Sequence, residues 1–233
     1  MRKLTIAIDG PAGAGKSTIA ARLAHKLGYV NLESGAMYRA LALKAIEHGV
    51  ALDDEAALLQ LARHSRIELE PAGDANRVLL DGEDVSQRIR EADVTDAASR
   101  VSVHPQVRVW MVERQRELGA GGGVIMEGRD IGTKVFPHAE VKIFLDAAAH
   151  VRAERRLRQD PRGAAARQGV AAIAEQIRQR DERDRTRVAS PLEPAPDAVI
   201  IDSSRMNIDQ VVARAEELVR AKLRDRDAGG MVE

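Results

Sequence analysis

The chain has 233 residues, enough for one α/β domain with a modest insertion or for two small domains, and its 44% hydrophobic and 31% charged content supports a buried core. Basic and acidic side chains balance at 36 each, which excludes a globally basic nucleic-acid binder, and 2% aromatic content is too little for a base-stacking platform. With no cysteine there are no disulfides, zinc fingers, iron–sulfur clusters or thiol catalysis; with no apolar run of about 18 residues and a start that enters a strand-like run directly, a cytoplasmic protein without a membrane span is expected.

Leu4 to Asp9 is short and apolar enough for a buried strand. Gly10 to Gly15 is turn-rich, and Ile19, Ala20, Leu23, Ala24 and Leu27 then recur at helical spacing as far as Gly28, a helix stop. Tyr29 to Glu33 predicts a second strand, and Gly35 to His48 a helix ended by Gly49. Asp53 is expected to cap a helix reaching about His64. The period then changes. Arg66 to Glu70 and Arg77 to Leu80 predict short strands, and Asp81-Gly82 is a hairpin signal leading to Glu83-Asp84-Val85, so an insertion with its own antiparallel sheet is expected. Glu91 to Leu118 has a helical pattern broken near Pro105. After the loop Gly121-Gly122-Gly123 come two buried-type strands, Val124 to Glu127 and Val141 to Leu145. Residues 151–190, with 11 arginines and 6 acids, predict helices around a flexible section at Asp160 to Gly169. Ala198 to Asp202 is a last strand. Asn207 caps a final helix carrying Val211, Val212, Ala215, Leu218, Val219 and Leu223, and a frayed tail is expected from Asp227.

Five buried strands alternating with helices imply a parallel sheet covered on both faces. Ligands on such sheets bind at the carboxyl ends of the strands, so functional residues are expected just after Asp9, Glu33, Glu127, Leu145 and Asp202.

The first of these edges carries the most specific motif. Gly10-Pro11-Ala12-Gly13-Ala14-Gly15-Lys16-Ser17, followed by Thr18, matches the P-loop pattern in full between a strand and a helix. Glycines let successive N–H groups reach phosphate oxygens, the helix starting near Lys16 adds its positive end, Lys16 reaches the β/γ-phosphates, and Ser17 can bind Mg²⁺. The chain has no Asn-Lys-x-Asp guanine motif of the kind GTPases usually carry, which leaves a small-molecule kinase as a candidate. Such an enzyme needs an acceptor site. Ser34-Gly35-Ala36-Met37-Tyr38-Arg39 follows the second strand, and Glu127-Gly128-Arg129-Asp130 ends the third. Within Arg180-Asp181-Glu182-Arg183-Asp184-Arg185-Thr186-Arg187, residues Arg180, Asp184 and Arg187 share one helix face. A charge run is most often a solvated ion-pair face; arginines converging on phosphate would overturn that. Of the basic residues 29 are arginine, through codon bias or because guanidinium grips phosphate bidentately, and position must decide between them.

These residues resemble the bacterial cytidylate kinases, P-loop nucleoside monophosphate kinases. The matching stretches are IAIDGPAGAGKST, ESGAMYRAL, LLDGEDVSQRIR, VSVHPQVR, EGRDIGTKVFPHAEVKIFLDA, RQRDERDRTR and PDAVIIDSSRMNIDQVV, spread over about residues 4 to 220. The resemblance implies a five-stranded parallel α/β core, a small antiparallel NMP-binding insertion and a helical lid. It implies the divisions 1–62 core, 63–95 insertion, 96–150 core, 151–170 lid and 171–233 core. It implies ATP- and Mg²⁺-dependent phosphorylation of CMP and dCMP by direct in-line transfer, in pyrimidine nucleotide metabolism, by a monomer with no nucleic-acid or membrane partner. Ser99, Arg108 and Asp130 match cytosine-reading positions, and Ser34 one near the exocyclic amine. Arg39 and Arg129 match monophosphate ligands, and Arg180 and Asp184 match sugar contacts with Arg187 beside them. Arg152, Arg155 and Arg156 match lid-proximal arginines, and Lys16, Arg129, Arg155 and Arg187 are the expected catalytic set. The chain departs from the family pattern in carrying Glu127 where many relatives have Asp, and in an Ala- and Arg-rich stretch from Gln159 to Gln168. A P-loop kinase for UMP or shikimate, and a nucleotide-gated nucleic-acid binder using residues 151–190, are the alternatives.

Overall fold

The computed structural model of the chain describes residues 3–73, 75–159 and 164–229. In chain order its elements are β1 (Thr5–Asp9), α1 (Lys16–Leu27), β2 (Val30–Glu33), α2 (Ser34–Glu47), α3 (Glu55–Arg63), β3 (Ile67–Ala72), β4 (Ala75–Leu80), β5 (Glu83–Asp84), α4 (Ala92–Val101), α5 (Pro105–Gly119), β6 (Val124–Gly128), β7 (Val141–Asp146), α6 (Ala149–Gln159), α7 (Ala164–Thr186), β8 (Val199–Asp202) and α8 (Ile208–Gly229). Arg88–Arg90 forms a 3-10 turn before α4, and Ile131–Val135 a single π-helical turn after β6.

The strands β1, β2, β6, β7 and β8 form one parallel sheet in the order β2-β6-β1-β7-β8. Their two-residue periodicity sorts apolar side chains to two faces. Leu4, Ile6, Ile8, Ile125, Val141, Ile143 and Leu145 pack against Ile19 and Leu23 of α1 and Val211, Val212 and Val219 of α8. Ala7, Leu32, Val124 and Met126 pack on the other face against α2, α4 and α5 through Met37, Leu41, Val94, Val101, Val107 and Met111. Helices therefore cover both faces, and all five carboxyl ends open on one edge.

The expected insertion is a three-stranded antiparallel sheet, β3-β4-β5. Leu69, Val78 and Leu80 turn inward onto the α2 cluster, and Asn76 bridges to β2: its Oδ1 accepts from the Glu33 N–H at 3.0 Å and its Nδ2 donates to the Asn31 carbonyl at 2.8 Å. Strand β3 runs two residues further than expected, through Pro71, which an outer strand tolerates.

α6 and α7 pack on each other through Ala153, Ile173 and Ile177. Of the expected flexible section, residues 160–163 lie outside the described residues; α7 begins at Ala164 and is interrupted at Gly169, whose φ of 78° leaves the helical region. Two local expectations are corrected. The cap of α3 is Asp54 rather than Asp53: the Asp54 carboxylate accepts from the Ala57 N–H at 3.0 Å. The final helix continues beyond Asp227 to Gly229. Its start is as expected, because Asn207 Oδ1 accepts from the Gln210 N–H while Gln210 Oε1 accepts from the Asn207 N–H, a reciprocal capping pair.

The capping difference is measurable. Asp54→Ala should cost about 1 kcal/mol and lower the melting temperature by about 2–4 °C, while Asp53→Ala should leave it within about 1 °C. Equal shifts for the two variants would contradict the assignment.

Candidate active site

β1 delivers the chain into the phosphate loop, and a close approach decides which residue follows it. Gly10 has φ 146°, and a Cβ there would lie 2.0 Å from the Leu145 carbonyl oxygen at the end of β7, so only glycine lets the loop leave the sheet at this point. The loop turns into α1 at Gly15 and Lys16. Lys16 is 5% exposed and its Nζ donates to the Pro11 carbonyl at 2.8 Å. Burial, then the neighbouring Arg129, pulls its ammonium down to about 7 against the opposing charge of Glu127. Ser17 donates through Oγ to Glu127 Oε1 at 2.9 Å. Thr18 follows, half-buried, in the first turn of α1.

The loop is braced from the lid side. Both backbone groups of Ala12 are taken: its N–H donates to Asp181 Oδ1 at 3.2 Å and its carbonyl accepts from Arg152 Nη1 at 2.8 Å, with Arg152 and Asp181 themselves 2.6 Å apart. Arg155 is half-buried behind the loop, donating to the Ala14 carbonyl at 3.2 Å and to the Ser203 carbonyl at 2.7 Å. Arg152 and Arg155 are thus loop braces here and do not join the acceptor-side arginines; Arg156 is exposed but close enough to act on Arg180.

β6 carries the second functional edge. Ser34 Oγ donates to the Glu127 carbonyl at 2.7 Å, across a gap that glycine keeps open: a Cβ at Gly128 would sit 2.4 Å from that oxygen. Asp130 receives Arg108 Nη2 at 2.5 Å in a pair that is 3% and 7% exposed, while Arg108 Nη1 donates to the Ser102 carbonyl at 2.9 Å. The Arg108 guanidinium lies 5.5 Å from the centre of the Tyr38 ring. Asp9 fixes the chain just past Asp130, accepting the Ile131 and Gly132 N–H groups at 2.8 and 2.7 Å; burial raises its carboxyl to about 7 against those bonds.

α7 supplies the third set, and it does not present a solvated face. Asp184 is 5% and Arg187 8% exposed. Asp184 Oδ2 accepts from Arg129 Nε at 2.9 Å, and its Oδ1 lies 3.7 Å from Arg187 Nη1. Burial would raise the Asp184 carboxyl, but Arg129, Arg180 and Arg187 hold it below the usual range. Arg180 is lowered to about 10, first by burial and then by Arg129, with Arg39 and Arg156 adding to it. Arg39 donates to Glu33 Oε1 at 2.5 Å.

Cations of the phosphate loop, β6, α2 and α7 therefore lie in one another's field. Among the described residues nine buried side-chain polar atoms have no partner, and six belong to this region: Tyr38 Oη, Arg39 Nε, Ser99 Oγ, Arg108 Nε, Arg180 Nε and Arg187 Nη2. Buried donors are ordinarily satisfied, so a group of them beside concentrated positive charge marks a site for a polar, anionic ligand. Of the expected acceptor residues, Ser34 and Arg39 lie on α2, Ser99 on α4, Arg108 on α5 and Arg180 and Asp184 on α7, while Arg129 and Asp130 directly follow β6 and Arg187 directly follows α7. Sequence reasoning passed over Asp9, Glu33, Tyr38 and Asp181. Asp9 and Glu33 carried a signal, being carboxylates at the ends of buried strands.

A cytidylate kinase family model matches residues 6–221. The cytidylate kinase of Geobacillus kaustophilus is 49% identical over 223 residues, covering 95% of this chain and 99% of the relative. That of Aliivibrio salmonicida is 48% identical over 219 residues, covering 94% and 97%. A gluconokinase from Sinorhizobium meliloti shares the fold alone, with a TM-score of 0.50 at 15% identity over 98% of both chains. These relatives do not favour a kinase for UMP or shikimate. With the family match spanning nearly the whole chain and half of all residues shared with relatives of the same length, the chain belongs to the cytidylate kinase family.

Proposed function

We propose that this enzyme transfers the γ-phosphoryl group of ATP in line to CMP, and to dCMP, with the site residues divided as follows. Gly10 to Thr18 hold the donor phosphates, with Lys16 on the β/γ-phosphates. Arg39 and Arg129 hold the acceptor phosphate. Arg108, Asp130, Ser99 and Ser34 read cytosine, which offers an amino donor beside N3 and O2 acceptors; a carboxylate, a guanidinium and two hydroxyls complement that edge. The single observation that carries the reading is the buried Arg108–Asp130 pair set among unpartnered buried donors.

The Ser17 hydroxyl backed by the buried Glu127 carboxylate is a hard-oxygen set that fits Mg²⁺, an ion that completes its octahedron from waters and substrate phosphates rather than from an all-protein cage. Bound there, Mg²⁺ supplies charge neutralisation on the phosphates. The rest of the chemistry falls to this chain's own residues. Lys16, Arg129 and Arg180 are already clustered in a dry place, so charge developing on the transferring group meets preorganised cations. The acceptor is an anionic phosphate, so no strong general base is needed. The small sheet would serve as the NMP-binding insertion and α6–α7 as the root of a lid that excludes water. Arg155 would reach the donor only by leaving its bonds behind the loop. Among the described residues no helix is long and apolar enough to cross a membrane. The same reading has the enzyme act as a cytoplasmic monomer, all site residues coming from one chain.

A coupled assay with ATP against CMP, dCMP, UMP, AMP and GMP tests the whole reading, and preferential turnover of UMP or a purine would refute it. Lys16 gives a pH test. Its ammonium is depressed to about 7 in the free enzyme, and bound polyphosphate favours the charged form. ATP binding at pH 8 should therefore take up protons, and ATP affinity should fall as pH rises above about 7. Calorimetry in two buffers of different ionisation enthalpy reads the uptake. Lys16→Met should abolish it and reduce turnover at least about tenfold, or about 1.4 kcal/mol of barrier; an absent uptake in the wild type would refute the phosphate-ligand role.

Asp130→Asn and Arg108→Met should each raise KM for CMP far more than KM for ATP, because a buried polar group left unpaired costs about 1–3 kcal/mol. Equal effects on both substrates would remove the residue from base recognition. Asp184→Asn should lower kcat/KM for CMP by at least about tenfold, since a hydrogen bond to a charged group contributes about 1.5–3 kcal/mol. A smaller loss for dCMP assigns the bond to the 2′-hydroxyl, and an equal loss assigns it to the 3′-hydroxyl. Unchanged kcat/KM for both would leave Asp184 with only its ion pairs to Arg129 and Arg187.

A further inference from the structure

Glu33 has no part in the mechanism above, yet three elements converge on it. It ends β2 on the outer edge of the five-stranded sheet, and α2 starts at the next residue. Its side chain is 14% exposed; Oε1 accepts from Arg39 Nη2 at 2.5 Å, and Oε2 lies 3.9 Å from Arg90 Nη2, on the 3-10 turn that follows the small sheet. Its backbone N–H donates to the Asn76 side chain, which in turn donates to the Asn31 carbonyl, so an amide from the insertion stands where a neighbouring strand would pair with β2. Burial would raise the Glu33 carboxyl, but Arg39 and then Arg90 hold it below its usual range, so it is ionised.

The pairing is one-sided on the arginine. Glu33 takes Nη2, while Nε is buried without a partner. Because the guanidinium is planar, fixing one terminal nitrogen fixes the direction of the remaining N–H groups. The carboxylate would by itself repel an incoming phosphate. Arg90 on its second oxygen offsets that charge, so Arg39, Glu33 and Arg90 together present one net positive charge.

We propose that Glu33 is a positioning residue for the acceptor phosphate: it orients the free donors of Arg39 toward the phosphate, and through Arg90 and Asn76 it makes that orientation depend on the docking of the small sheet. The proposal rests on the reading of Arg39 as a phosphate ligand. It accounts for a carboxylate beside an anion site, and for a direct tie between the insertion and the grip on the substrate it closes over.

The test compares CMP with cytidine, which carries the same base and sugar without the phosphate. Both are titrated into wild type, Glu33→Gln and Glu33→Asp, with KM for ATP and a melting curve alongside. Glu33→Gln should weaken CMP by about tenfold or more while cytidine and KM for ATP stay within about twofold, and Glu33→Asp should recover most of the CMP affinity. Arg90→Ala should weaken CMP by about threefold and add no further loss in the Glu33→Gln background, as groups acting through one contact do. An equal loss for CMP and cytidine, unchanged or tighter CMP binding in Glu33→Gln, or full additivity with Arg90→Ala would overturn the proposal. A wild-type enzyme that prefers another monophosphate would refute the reading of the acceptor instead, whatever Glu33 does.

Discussion

Positive charge held away from water is the constraint on which this molecule is organised. Lys16, Arg129 and Arg180 lie in each other's field in a buried setting, which depresses Lys16 and Arg180 alike. Such a cluster stands only if carboxylates are built in beside it, because an uncompensated buried charge costs about 3–5 kcal/mol. Glu127 and Asp184 meet that demand, one from β6 and one from α7. The compensation is partial. The donors left over on Arg39, Arg108, Arg180 and Arg187 are buried without a partner, so they are open to a polar, anionic ligand.

The parallel sheet makes this possible because it gathers strand ends that are far apart in sequence onto one edge. Asp9 and Gly128 are paired across β1 and β6 although far apart in the chain, and the same register sets Asp9 under the N–H groups that follow Asp130. One buried carboxylate thereby links the phosphate loop, which starts at the next residue, to the loop that carries Arg129 and Asp130. Small residues set the spacing: glycine at position 10 against β7 and glycine at position 128 against Ser34 allow approaches that any Cβ would block.

The fold was largely legible because its signals are local. The phosphate loop between β1 and α1, the hairpin at Asp81-Gly82 and the Pro105 break all depend on neighbouring residues, and all lie where expected. Asp53 was expected as the cap, but either aspartate can fill that role, and it is Asp54, three residues before Ala57, whose carboxylate meets the Ala57 N–H. The placement of candidate residues was legible where motif and strand edge coincide, as at Lys16 in the phosphate loop and at Arg129 and Asp130 just past β6. It was less so on α7. The stripe Ile173, Ile177, Asp181, Asp184 keeps helical spacing while passing from apolar to acidic, and all four are buried. A charge run read by composition suggests a solvated face; read by phase with the isoleucines before it, the same run points inward. Tyr38 gave no such cue, and the strand-end position of Glu33 signalled a site without naming its partners; Arg90, Asn76 and Arg108 are residues that sequence does not place beside them.

The double claim on Ala12 has a consequence for how the molecule opens. Its amide answers to Asp181 on α7 and its carbonyl to Arg152 on α6, so the phosphate cradle has no conformation independent of the two helix roots. Local unfolding propagates through shared hydrogen bonds, and segments joined in this way open as one cooperative unit. A fluctuation that frays α7 as far as Asp181 therefore disorders the cradle as well.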